Sequence, residues 1–374
     1  MDNKFEKVAE IALKHFGEEL KVCQQSKTYH AEGSVYNHTV MVLDELRKLK
    51  EYKQYDSFGQ CILETAAVLH DVGKIKATVF SDGDWHSPKH SSIGCNASRR
   101  YLWSSGLCGG EVETMFREAV CMLVKHHSVP PAVERMEDPV LQLNRIASNG
   151  IQVPVFNVKM LCTLAKADVL GRDCKKSDKD YMLENIEFCQ MLAENEGCYT
   201  TPYQFKSSNV RRKYLNGNCI WAGQELYDES WGEVVLMSGL PGTGKDTWIS
   251  KHLNSIPMIS LDVIRREKKI SPRSNQGEVV SAAKELAKEY MRKKTPFVWN
   301  ATNITQHLRK ELVEFFESYK ARVRIVYLES TWGEILRKNN SRGDAVPVAA
   351  IEGMLKKTVP PYAYEADNVE WHIM

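Results

Sequence analysis

The chain has no long apolar run: none of its 374 residues lies in a stretch of about 18 uninterrupted apolar side chains, the length a membrane-crossing helix needs. Its opening, MDNKFEKVAE, lacks the basic start and apolar centre of a secretion signal, so a soluble cytoplasmic protein with no membrane partner is expected. Ten cysteines occur, but no two are spaced C-x-x-C, which argues against zinc knuckles and thioredoxin-like chemistry and for reduced, mostly buried thiols. Net charge is also nearly missing. Fifty Lys+Arg against 48 Asp+Glu leave +2, so the total by itself points neither to a nucleic-acid binder nor to an acid-seeking surface. There is no internal repeat and no low-complexity tract. At this length two domains are the natural expectation.

What is present is distributed unevenly. All ten cysteines, Cys23 to Cys219, and eight of the eleven histidines precede residue 231. From 231 onward there are 22 Lys+Arg against 17 Asp+Glu, leaving 28 against 31 before it, so the C-terminal part alone carries a positive excess suited to an anionic ligand. Residues 1–195 repeat apolar side chains at three and four, as in EKVAEIALKHF, GQCILETAAVLHD and VKMLCTLAKADVL, which predicts an all-α domain with almost no strand. Residues 196–230 are richer in Gly, Asn, Ser and Tyr and are expected to be a connecting segment. Residues 231–374 alternate short β-rich runs (EVVLMSG, PMISLD, PFVWN, RVRIVYLE, VEWHIM) with helical ones, the pattern of an α/β domain with a parallel sheet.

GLPGTGKDT, residues 239–247, follows the first of those strands and opens a helix, the context a phosphate-binding loop requires. Gly239, Gly242, Thr243 and Gly244 would bring backbone N–H groups around a nucleotide phosphate, and Lys245 would supply a cation to its outer oxygens. Asp246 stands where a Ser or Thr hydroxyl normally touches magnesium. It either ligates Mg2+ itself or is tolerated while Thr247 supplies the hydroxyl. Asp262 lies at the carboxyl end of the next strand with Arg265 three residues on. Sharing a helix face, they are suited to proton abstraction from a hydroxyl and to holding a phosphate; as an ordinary cap and surface arginine they would do neither. LRKNNSRGDAVP reads as a basic lid that carries Arg342, or as a solvated loop.

Taken together, GLPGTGKDTW, LDVIRRE, WNATNIT and NNSRGDAVPVAAIEGM resemble the kinase domain of bacteriophage polynucleotide 5'-kinase over most of residues 231–374. The resemblance implies that Asp262 is the general base on a 5'-hydroxyl, Arg265 holds the acceptor phosphate and Arg342 stabilises the transferred phosphoryl. It implies ATP or another NTP with Mg2+ as cofactor. The sequence departs from the pattern at Asp246, and at Asn300, where an acidic residue is expected.

In the first part, His70 and Asp71 end an apolar helix, and His38, His90, His127 and Asp168 each sit on a segment with an apolar face. Imidazole with carboxylate suits Mn, Fe, Co, Ni or Zn ions, and an aspartate can bridge two of them. Periodicity turns His127 inward rather than His126. The order H, HD, H, HH, D, with HDVGK and AKADVLGR, resembles the HD-domain metal-dependent phosphohydrolases over about residues 20–180. The resemblance implies one or two divalent metals (Mn2+, Ni2+, Co2+, Zn2+ or similar) held by these six residues, with Lys74 on the substrate phosphate. His15, His30 and His86 match nothing and are expected at the surface.

An HD phosphohydrolase ahead of such a kinase resembles the bacterial bifunctional enzymes of RNA end healing. That resemblance implies removal of a 2'-phosphate or 2',3'-cyclic phosphate, phosphorylation of a 5'-hydroxyl, RNA or DNA ends as partners, and a separate RNA ligase downstream. Two other readings stay open. One is an HD nucleotidase fused to a nucleoside or metabolite kinase, against which Arg265, Arg266, Lys268 and Lys269 beside Asp262 favour a polynucleotide; the other is a non-enzymatic RNA sensor.

Overall fold

The computed structural model describes residues 4–218, 221–271 and 276–374. They form two compact units, one comprising the described residues up to Leu107 with Val112–Gln204, the other Cys108–Glu111 with Phe205–Met374.

The first unit is helical: α1 Val8–Val22, α2 Val35–Lys48, α3 Ser57–Leu69, α4 Lys74–Ala77, α5 His90–Ser104, α6 Glu111–His126, α7 Pro139–Ala147, α8 Val158–Leu170 and α9 Lys176–Asn195. Four of these helices start where a side-chain oxygen accepts an otherwise unpaired backbone N–H, at Ser34, Asp56, Asp138 and Asn157. Helix α8 is buried along most of its length and packs against α2, α3 and α9, so Asp168 near its end lies at the centre of the unit. The helical expectation for residues 1–195 omits one element. β1 Val79–Ser81 and β2 Asp84–His86 form an antiparallel hairpin, turned by Asp82 and Gly83 at positive φ. Three-residue strands carry too few alternations to register as a period of two.

The second unit contains β3 Glu233–Ser238, β4 Met258–Ser260, β5 Phe297–Asn300, β6 Arg322–Glu329 and β7 Asn368–Ile373 in one sheet, ordered β4-β5-β3-β6-β7 with every pair parallel. Its helices are α10 Ser208–Leu215, α11 Lys245–His252, α12 Leu261–Glu267, α13 Gln276–Arg292, α14 Gln306–Glu317, α15 Trp332–Asn340 and α16 Val348–Leu355. Strand alternation sorts the core onto two faces. Val234 and Leu236 join Ala283, Ala287 and Met291 of α13 and Leu312, Val313 and Phe316 of α14. Val235 and Met237 face the other way, onto Trp248, Ile249 and Leu253. A sheet covered on both sides leaves the carboxyl ends of its strands as the open edge, where ligands bind in such folds.

Two details differ from the expectations for 196–230 and for the lid. From Phe205 the expected connecting segment clusters with the second unit, and α10 within it buries Val210 and Leu215 while Arg211 donates to the carbonyls of Ala363 and Asp367. The basic stretch after β6 begins as helix, α15, and becomes a turn only at Ser341. Seven of the nine described cysteines are buried; Cys219 lies outside the described residues.

Phe316 is fully buried and meets Phe297 and Trp299 at ring-centroid distances of 5.6 and 5.7 Å. Phe316→Ala should cost roughly 3–5 kcal/mol. A urea midpoint that moves by less than the equivalent of about 1 kcal/mol would show that this cluster does not hold the sheet.

Candidate functional site

In the first unit the end of α3, the start of α5 and the ends of α6 and α8 converge around Asp71, which is 3% exposed. The glycine of HDVGK makes this possible. A Cβ on Gly73 would lie 2.0 Å from the His90 carbonyl oxygen and 2.5 Å from Gly94 N, so only glycine lets α4 seat against the first turn of α5 and bring His90 to Asp71.

The two oxygens of Asp71 face different histidines. Oδ2 is 3.3 Å from His70 Nε2 and 3.8 Å from His38 Nε2, and these two nitrogens are 3.3 Å apart. Asp168 Oδ1 completes that group, 3.0 Å from His38 Nε2 and 3.8 Å from His70 Nε2. Oδ1 of Asp71 is 3.5 Å from His90 Nε2 and 4.0 Å from His127 Nε2, themselves 3.4 Å apart. The six residues named from the sequence as metal ligands thus come together. His126 is also buried, but is not among the potential ligand groups of the described residues.

The ring tautomers follow from the second nitrogens. His70, His90 and His127 Nδ1 lie 2.7, 2.9 and 2.8 Å from the carbonyl oxygens of Ala67, Ser87 and Val124, which can only accept, so each Nδ1 carries a proton and each ring turns its Nε2 inward. Converging lone pairs and carboxylates repel unless a cation lies among them. The donor set, imidazole nitrogen with carboxylate oxygen in two groups sharing Asp71, fits one or two divalent ions. Burial alone would raise the Asp71 pKa, but Lys74 first, then His70 and His90, hold it well below the usual range. Asp168 is likewise held ionised against its burial, chiefly by Arg172. Burial pushes His127 down to about 3, the neutral form a metal requires.

Lys74 is buried, with Nζ 2.8 Å from Asp71 Oδ2 and 3.1 Å from Gln25 Oε1. His15 and His86 are exposed as expected, whereas His30 is not at the surface: it is 8% exposed, 2.8 Å from Glu32 Oε1 and 3.4 Å from Lys74 Nζ. Glu32 Oε1 is also 3.0 Å from His38 Nδ1. Glu32, Gln25 and His30 occupy a loop without periodicity, and nothing in the pattern marks them. Arg172, two residues past the end of α8, bears on Asp168 through Nη2 at 2.6 Å; its spacing four residues on from Asp168 was a readable signal.

In the second unit, the loop after β3 turns at Gly239, Gly242 and Gly244, all at positive φ. A Cβ on Gly239 or Gly242 would lie 2.6 Å from the Leu328 carbonyl oxygen or 2.5 Å from that of Ile335. Thr243 is buried with Oγ1 donating to Leu240 O at 2.9 Å, and Lys245 Nζ donates to the carbonyls of Gly239 and Leu240, 2.9 Å each. Asp246 and Thr247 are exposed. A cavity of about 1000 Å³ is lined by this loop, by Asp262, Arg265, Arg266 and Lys269, and by Lys338 and Arg342. Every cofactor and catalytic position named for this part therefore borders one space, except Gly239 and Thr243, which shape the loop behind it. Asp262 follows Ser260, the side-chain cap of α12, and pairs with Arg265, whose Nη2 donates to Gln276 Oε1 at 3.0 Å. Asn339 braces the turn carrying Arg342, donating to Val346 O at 2.8 Å and accepting from Val346 N at 3.0 Å. Gln276 lies outside every motif of the sequence, and Asn339, inside the basic stretch LRKNNSRGDAVP, is a neutral amide that nothing in that stretch sets apart.

Comparison with known proteins agrees with this division. Residues 35–149 match the family model of the HD domain and residues 234–361 that of an AAA domain. The chain is 22% identical over 147 residues to the L-seryl-tRNA(Sec) kinase of Methanococcus maripaludis, a match covering 36% of this chain and 57% of that protein. It thus spans little more than half the length of this curated relative. The chain joins an HD domain to a P-loop, kinase-like domain. Among the described residues no helix is long and apolar enough to cross a membrane.

Burial lowers the pKa of Lys245 to about 8, against the raising influence of Asp246 and then Asp262. Phosphate oxygens favour the ammonium form, so nucleotide binding takes up a proton wherever the ligand-free lysine is neutral. ATP affinity at saturating Mg2+ should be level below pH ~8 and fall by up to about tenfold per unit above it. Lys245→Arg should flatten the profile; a wild-type profile flat to pH ~9.5 would contradict the lowered pKa.

Proposed function

We propose that the protein heals broken RNA ends: the second unit phosphorylates a 5'-hydroxyl from an NTP, and the first removes a 2'-phosphate or 2',3'-cyclic phosphate. The observation that carries this reading is the number of cations in the phosphate-loop cavity. Lys245 serves the nucleotide, yet Arg265, Arg266, Lys269, Lys338 and Arg342 line the same space against the carboxylates of Asp246, Asp262 and Asp344, leaving a net positive lining, and at about 1000 Å³ the cavity is at the upper end for ligand pockets. A bare nucleoside acceptor has no phosphate to engage this surplus. A polynucleotide end brings its own.

In the kinase half, Lys245 and Arg342 neutralise charge on the transferring phosphoryl, and Asp262 accepts the proton of the attacking hydroxyl. Arg265, oriented by Gln276, holds the acceptor phosphate beside Asp262. In the phosphohydrolase half, His38, His70, His90, His127, Asp71 and Asp168 would hold the metal, and Lys74 would meet the substrate phosphate. Divalent ions bound there would polarise the phosphoryl oxygens and acidify water. Chemically the two activities belong together: a break that leaves a cyclic phosphate and a 5'-hydroxyl presents two ends that a conventional ligase does not join. The healed ends would then be substrates for an RNA ligase. The relative's name, a kinase of L-seryl-tRNA(Sec), supports an acceptor that contains RNA.

The sites use different residues and are separable. Asp71→Ala should lower removal of the terminal phosphate by more than about 100-fold and leave 5'-phosphorylation within about twofold. Lys245→Ala and Asp262→Ala should do the reverse, with Asp262→Ala still binding ATP. Loss of both activities in a folded Asp71→Ala protein would sink the two-site reading, and a near-normal kinase rate in Asp262→Ala would remove the general base.

A further inference from the structure

Two departures from the usual phosphate-loop pattern meet in space. In such loops the residue after the lysine is a hydroxyl, and the magnesium carboxylate comes from a second segment. Here the residue after Lys245 is an aspartate, and the end of β5, the neighbour of β3, carries Asn300, where the resemblance to the polynucleotide kinases implies an acid. The Asn300 amide Nδ2 donates to Asp246 Oδ1 at 2.6 Å and approaches Met258 Sδ at 3.5 Å. Asn300 is 6% exposed, whereas Asp246 is exposed, and both line the nucleotide cavity.

We infer that the pair is exchanged: the carboxylate for the magnesium of Mg–NTP comes from the phosphate loop itself, at Asp246, and Asn300 is a positioning residue that holds it through Oδ1. This rests on the kinase reading above. Three arguments support the exchange over two unrelated changes. The count of one carboxylate and one neutral polar side chain is preserved. The neutral member is the buried one, and an amide tolerates burial against a carboxylate because it donates to it, while a second carboxylate at that distance would repel. A hard divalent ion prefers an anionic oxygen to the amide oxygen that Asn300 offers, and Asp246 offers it at the exposed position.

The exchange has a signature that a hydroxyl in the loop would not give. An anion next to Lys245 repels nucleotide phosphates until a divalent ion screens it, so NTP binding becomes strongly metal-dependent. The test is calorimetric binding of ATP to the full chain with Mg2+ and with EDTA. Wild type should bind at least about tenfold more tightly with Mg2+. Asp246→Ser, and Asp246→Asn, which keeps the shape, should reduce that ratio to about threefold or less, mainly by strengthening binding in EDTA and weakening it in Mg2+. Asn300→Asp alone should weaken ATP binding in both conditions by crowding two carboxylates. The double variant Asp246→Ser with Asn300→Asp restores the usual arrangement, and its Mg2+ ratio should recover to within about threefold of wild type, better than the single effects combined. A metal ratio unchanged in Asp246→Asn, or a double variant no better than the sum of its parts, would overturn the exchange while leaving the kinase reading intact. If wild type bound ATP in neither condition, both would fall.

Discussion

A carboxylate buried in a helical core stays ionised only if cations surround it, and Asp71 imposes that requirement on the whole first unit. Lys74 is supplied one turn later on α4, and the histidines arrive from α2, the end of α3, the start of α5 and the region just past α6. The tight approach of Gly73 to α5 and the central burial of α8 follow from the same demand. Each imidazole is fixed by what its far nitrogen touches, a backbone carbonyl for three of them and Glu32 for His38. The lone pairs therefore converge before any ion arrives, so ordering the ligands costs little at the moment of binding.

The second unit solves a different problem with backbone rather than charge. Its parallel sheet is covered on both faces, leaving the strand ends as the place for ligands. Glycines at 239 and 242 permit a loop that folds against the carbonyls of β6 and α15. Charge enters around that scaffold: Lys245 within the loop, Asp262 and Arg265 on α12, Arg342 on a turn pinned by Asn339. Desolvation of Lys245 leaves it an avid partner for phosphate, because an ammonium paired only with carbonyl oxygens gains most from an anion.

Much of this was legible in the residues. The five strands of the sheet lie where β-rich runs were expected; the six metal-ligand candidates converge too, and while apolar faces and the HD adjacency mark their segments, the set itself is what the resemblance to HD-domain phosphohydrolases implies. What stayed hidden is of three kinds. Loop residues such as Gln25, His30 and Glu32 carry no period, so nothing separates them from surface, and the expectation of an exposed His30 fails for that reason. Braces such as Gln276 and Asn339 act through one amide, a residue type common everywhere on surfaces. Short elements, the 79–86 hairpin and α10, are too brief for a pattern to accumulate. The contact between Asp246 and Asn300 needed the sheet, since 54 residues separate them and only the pairing of β3 with β5 brings their strand ends together.

On the proposed function, one chain acts on both ends of the same kind of broken strand. The direct measurement is to incubate the protein with ATP, Mg2+ or Mn2+ and a short RNA bearing a 5'-hydroxyl and a 2',3'-cyclic phosphate, and to weigh both ends by mass spectrometry. The expected result is a phosphate gained at the 5' end and the cyclic phosphate opened or removed at the 3' end. An RNA unchanged at both ends, while mononucleotides or nucleosides in the same tube are turned over, would contradict it and assign both sites to small molecules.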